Sequence, residues 1–125
     1  MRGPFPLVPS QLNLRVPCGS RGVYCVGKTP GRVNRVGRAD HDLNGEIRTL
    51  EADYHFFWYE TELTPRETYT EQCRAFHKYY GMGGLDSDEH PVPPPRVEDR
   101  CPVCGKAPAE LPGGVPAAPK SARLA

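Results

Sequence analysis

Two pairs of metal-type side chains constrain this chain more than any other feature. Cys73 and His77 stand four residues apart in the stretch from Thr64 to Gly81, and Cys101-Pro-Val-Cys104 follows downstream. The first stretch carries a full helix start signal: Thr64 caps the first turn, Pro65 suits the first helical position, and Glu67 closes a capping box with Thr64. Gly81 supplies the expected stop. On a helix, this spacing stacks Cys73 and His77 on one face. Together with a Cys-x2-Cys turn, the pair has the ligand number and softness that tetrahedral zinc requires. The pattern therefore predicts a structural zinc site of Cys73, His77, Cys101 and Cys104, which ties the end of the chain to the helix. His90, held in an extended turn by Pro91, is the alternative to His77.

A metal would suit the size of the chain. Of its 125 residues, 15 are proline and 13 glycine, many of them towards the two ends, which leaves one small core that burial alone holds marginally. A net charge of +1 gives no overall field for nucleic acid, so any such case rests on local charge. The start is broken by prolines and lacks the apolar core of a signal peptide. No apolar run approaches the ~18 residues of a membrane span. An odd number of cysteines with metal-type spacing points to reduced thiols, so a cytoplasmic protein with no membrane partner is expected.

In chain order, residues 1–17 read as a loose proline-rich arm. Arg21–Val26 and Arg32–Gly37 are strand-like runs around Gly27-Lys-Thr-Pro-Gly31, a hairpin. Leu43, Ile47 and Leu50 give one apolar face to a short helix over residues 43–51, with Gly45 working against it. Tyr54–Glu60 is an aromatic third strand whose rings are expected in the core. The helix from Thr64 follows. The expected fold is α+β: a small mixed sheet of a hairpin plus a third strand, packed helices, and a zinc knuckle. The expected organisation is an arm (1–17), a domain (18–91), the knuckle (92–106) and a disordered tail (107–125). Cys18 reads as a loop thiol and Cys25 as a strand residue, and His41 and His55 have no partner that the sequence names.

Four blocks occur in a fixed order: Gly22-Val-Tyr24 with Val36-Gly-Arg-Ala-Asp40, Cys73-Arg-Ala-Phe-His77, Leu85-Asp-Ser-Asp-Glu-His-Pro91, and Cys101-Pro-Val-Cys104. In this order the chain resembles the GIY-YIG nuclease domains, over roughly residues 21 to 91. More narrowly, it is similar to a small branch with a Cys/His helix and a terminal Cys-Pro-x-Cys.

The resemblance implies metal-dependent cleavage of DNA phosphodiester bonds. Tyr24 would act as nucleophile or base, Arg35 and Arg38 would hold phosphate, and Glu71 would bind Mg2+ or Mn2+. The same resemblance also exposes departures. Arg35 stands where the family has a second-strand tyrosine, Glu46 where it has an arginine, Gln72 where it has the metal-binding glutamate, and Ser87 where it often has asparagine. A carboxylate for a phosphate-clamping arginine reverses the local field, and a glutamine removes a charged ligand. The alternative is thus an inactive zinc-stabilised module that binds nucleic acid or protein, with Arg21, Lys28, Arg32, Arg35 and Arg38 clustered on the hairpin.

Overall fold

The structure is a computed structural model that describes residues 1–111. Its elements are β1 (Arg2–Pro6), α1 (Pro9–Arg15), β2 (Gly22–Gly27), β3 (Arg35–Ala39), α2 (Leu43–Arg48), β4 (Phe56–Thr61) and α3 (Pro65–Met82), then irregular chain with one 3-10 turn at Pro108–Glu110. The strands form one sheet in the order β1-β4-β2-β3, and every pairing is antiparallel. The chain is therefore α+β as expected, but the sheet has four antiparallel strands instead of three in a mixed arrangement.

The added strand comes from residues 1–17, expected as a loose arm. β1 pairs with β4 through Arg2↔Tyr59 and Phe5↔Phe57. Pro4 and Pro6 are tolerated because β1 is an edge strand, where a missing N–H costs no ladder bond. Pro9 then sits in the first turn of α1, where its missing N–H is again harmless. Leu7, Leu12 and Val16 are buried with α2 and the sheet. The Asn44 amide donates to the Val16 carbonyl at 2.8 Å and to Asn13 Oδ1 at 3.2 Å, which fastens α1 to α2.

The register of the sheet assigns its two faces. Tyr24 lies opposite Gly37 and Tyr59, and Val26 opposite Arg35 and Phe57. These residues share the face on which α1 and α2 pack, in a core with Leu12, Leu43, Ile47, Leu50 and Tyr54. Gly37 is required there, because a Cβ would run into the Tyr24 ring. Val23 lies opposite Arg38 and Glu60, and Cys25 opposite Val36 and Trp58. This second face receives α3 through a smaller cluster of Cys25, Val33 and Ala75 with Val36, Trp58 and Tyr79.

Helix α3 begins as the sequence reads. The Thr64 hydroxyl accepts from the Glu67 N–H at 3.2 Å, and the Glu67 carboxylate accepts from the Thr64 N–H at 2.9 Å. Its end lies further on than Gly81. The helix runs through that glycine to Met82 and stops at Gly83, whose φ of 76° few other residues adopt. Of the tail expected to be disordered (107–125), residues 107–111 are instead ordered, with a 3-10 turn at Pro108–Glu110 and Leu111 buried against the domain; the rest of that tail lies outside the described residues. Among the described residues no helix is long and apolar enough to cross a membrane.

Candidate metal centre

Four donors converge where α3, the 84–91 loop and the Cys-x2-Cys turn meet: His77, His90, Cys101 and Cys104, with all ligand atoms within 4.8 Å of one another. The two Nε2 atoms are 3.0 Å apart, Cys101 Sγ is 3.4 Å from His77 Nε2, and Cys104 Sγ is 3.4 Å from His90 Nε2. A tetrahedral ion with bonds of ~2.0 Å to nitrogen and ~2.3 Å to sulfur sets donor–donor edges of roughly 3.3 to 3.8 Å. The cluster is thus near the size that such an ion demands. Its chemistry fits as well, two imidazoles and two thiols being a standard tetrahedral set.

The surroundings prepare these donors. His90 Nδ1 lies 2.7 Å from the Pro91 carbonyl. A proton on Nδ1 donates to that oxygen and leaves the Nε2 lone pair facing the cluster. The turn itself is closed by the Gly105 N–H to the Cys101 carbonyl at 2.9 Å and the Cys101 N–H to the Lys106 carbonyl at 3.0 Å. The Val103 N–H points at Cys101 Sγ, 3.4 Å away. Burial of the Cys101 thiol resists ionisation, but the N–H groups of Cys104 and Val103, with His90 and Cys104, outweigh it and bring the thiol down to about 6. Arg66 pairs with Asp99 at 2.9 Å and ties the start of α3 to the segment entering the turn.

The sequence brings His77, Cys101 and Cys104 to the cluster, and His90, weighed there only as the alternative to His77, joins it as well. Cys73 stands outside. It is buried with Tyr69, Val97 and Cys101, one layer beneath the donors. Both residues lie on α3, but His77 is among the four donors, while Cys73 packs against Cys101, which is itself one of them. Burial pushes the Cys73 thiol up to about 12, with Tyr69 pulling the other way and Cys101 adding to the rise. The hydroxyl of Tyr69 is buried beside Cys73 without a hydrogen bond of ordinary geometry. His-Pro at the end of the loop was the signal for His90, since proline fixes its backbone.

The residues implied as catalytic by the resemblance lie on two sides of the sheet. Tyr24 and Arg35 are on the α1/α2 face and within hydrogen-bonding reach of each other. Burial pushes the Tyr24 hydroxyl above the usual phenol range, Arg35 opposes this, and Glu46 adds to it. Tyr54 joins the group, its hydroxyl bonded to Asp86 and also near Arg35. Arg38 points the opposite way. Its guanidinium pairs with Asp40 at 2.8 Å and donates to Gln72 Oε1 at 2.8 Å and to the Val92 carbonyl at 2.5 Å. Glu71, half-buried on α3, pairs with Arg74 at 2.8 Å and lines an open groove with Glu60, Arg66 and Glu67.

No family model matches this chain, nor does any curated protein or solved structure. The likeness to GIY-YIG domains therefore stands on the four sequence blocks alone.

Proposed function

We propose that this chain is a zinc-stapled binding module on a GIY-YIG-like scaffold, and that it does not cleave phosphodiester bonds. The observation that carries this reading is the separation of Tyr24 and Arg35 from Arg38 and Glu71 by the sheet. A phosphate held by Tyr24 and Arg35 has no carboxylate from α3 to share a divalent ion with, and it faces Glu46 and Asp86 instead. A raised phenol is also a weaker nucleophile at neutral pH. Arg38 is already engaged by three partners and acts as a strut between β3, α3 and the 91–92 segment.

For the metal, zinc is the ion that the donor set favours. Two sulfurs and two nitrogens suit a borderline-soft d10 ion, and four protein ligands leave no open position for water. Its role is then structural: it fixes the loop and turn against α3, and binding energy becomes folding energy.

The test is nicking of supercoiled plasmid by purified protein with Mg2+ or Mn2+, beside Tyr24→Phe and Glu71→Gln, with bound metal measured by elemental analysis. We expect about one zinc per chain and no nicking. Cleavage lost in both variants would overturn the reading and restore the nuclease.

A further inference from the structure

Between the hairpin turn and the last turns of α3 lies an open groove lined by Pro30, Arg32, Val33, Trp58, Tyr79 and Met82. Among the described residues no carboxylate lines it. Trp58 and Tyr79 are half-buried, unlike Tyr54, Phe57 and Tyr59 of the same aromatic run, which are core. The groove thus holds two rings that are fixed by packing yet open to solvent. Cations surround them. Arg32 and Lys28 are exposed on the hairpin without an ion pair among the described residues, and Lys78 Nζ lies 5.1 Å from the centre of the Tyr79 ring. The Arg32 guanidinium rests against Gly84, where it fills the place a Cβ would take, and so is held at the rim.

Rings in a trough without carboxylates, with cations along its edge, match a chain of stackable planar groups joined by anions. A duplex does not fit this description, because its bases are already stacked and its grooves offer edges, not faces. We propose that this groove binds single-stranded nucleic acid, with Trp58 and Tyr79 stacking on bases and Lys28, Arg32 and Lys78 on the phosphates. The proposal rests on the reading of the chain as a binding module, and it names the partner. The surface lies on the sheet face opposite Tyr24 and Arg35 and shares no lining residue with either, nor with Arg38 or Glu71.

The chain has one tryptophan, so its own fluorescence reports on the groove. The experiment titrates zinc-loaded full-length protein with ten-nucleotide oligo-dT and oligo-rU at low salt. Trp58 emission is followed directly, and labelled oligonucleotide anisotropy is read for Arg32→Glu, Tyr79→Leu and Trp58→Leu. We expect saturable quenching and a loss of affinity of about tenfold or more in each variant. With three phosphates contacted, the logarithm of affinity should fall with the logarithm of salt at a slope of about −2. Zinc content and melting temperature are measured on every sample; if Trp58→Leu fails to fold, Arg32→Glu and Tyr79→Leu carry the test.

Absence of quenching and of anisotropy change with folded, zinc-bearing protein would overturn the proposal. So would unchanged affinity in the folded variants, tighter binding of a duplex of the same length, or equal quenching by a poly-glutamate peptide. None of these outcomes touches the metal site. Conversely, plasmid cleavage would defeat the module reading while leaving the groove result to stand by itself.

Discussion

Replacing His90 by alanine, beside Cys73→Ala, separates the two ligand sets that this chain allows. In the structure His90 Nε2 stands 3.0 Å from His77 Nε2 and 3.4 Å from Cys104 Sγ, so it is one of the four donors of the cluster. A structural zinc site binds with ~10–16 kcal/mol at neutral pH, and one donor in four accounts for roughly 3 kcal/mol of that. His90→Ala should therefore weaken zinc binding by about a hundredfold. Cys73 contributes packing instead. Its loss leaves a small void next to Tyr69 and Val97, with a cost of about 1–2 kcal/mol to folding and little change in zinc affinity. The assay is competition for zinc against a chromophoric chelator of known affinity, with thermal melting of the zinc-loaded forms in parallel. Retention of tight zinc in His90→Ala together with its loss in Cys73→Ala would refute the His2Cys2 assignment in favour of the set first read from the helix spacing.

Four further outcomes follow from the packing. Leu12→Ala should lower stability by about 3 kcal/mol in urea titration, because Leu12 is fully buried in the main core; an unchanged midpoint would mean that residues 1–17 do not dock. Arg38→Ala should cost about 2 kcal/mol by stranding Gln72 and the Val92 carbonyl, and Arg38→Lys should recover only part of it, since one ammonium cannot span three partners; a neutral Arg38→Ala in the same titration would remove the strut. In folded protein, Cys18, which is exposed, should react with a thiol reagent far faster than Cys25, which is buried with its thiol pushed up to about 12. Folding keeps the Cys25 thiol neutral while the unfolded thiol ionises near 9, so stability should fall as pH rises from about 9 towards 12. Cys25→Ala should flatten that alkaline limb in pH-dependent melting, and an identical limb would contradict the shift.

The legible parts of the fold were those with strong local signals. The capping box at Thr64, the hairpin around the Gly27–Gly31 turn and the apolar face of α2 each announce themselves within a few residues. β1 and α1 did not. Proline reads as a breaker anywhere but an edge strand or a first helical turn, and which of these a proline occupies is decided by β4, far along the chain. The site shows the same division. Helical spacing reads Cys73 and His77 as one face, but which of the two joins the donors is decided by packing around the helix. The Cys73 thiol is buried with Tyr69 and Val97, and the His77 imidazole is among the donors. That Arg35 and Arg38 face opposite ways follows from strand alternation, but the run read as the second strand, Arg32–Gly37, stops short of Arg38, whereas β3 spans Arg35–Ala39 and so includes both.

The strand order has a consequence for the sequence of events in folding. β1 has no partner until β4 exists, since Arg2 pairs with Tyr59, and β2 also takes β4 as its second neighbour, with Gly22 opposite Thr61. Only the β2–β3 hairpin can close from nearby residues. During synthesis β1 must therefore wait, with α1 sheltered by α2 alone, for a strand made later to enter the middle of the sheet. Such distant pairings are slow because loop closure comes before any reward in contacts. β4 is thus the keystone of assembly, and a ribosome paused before it would hold a chain with a hairpin and no sheet.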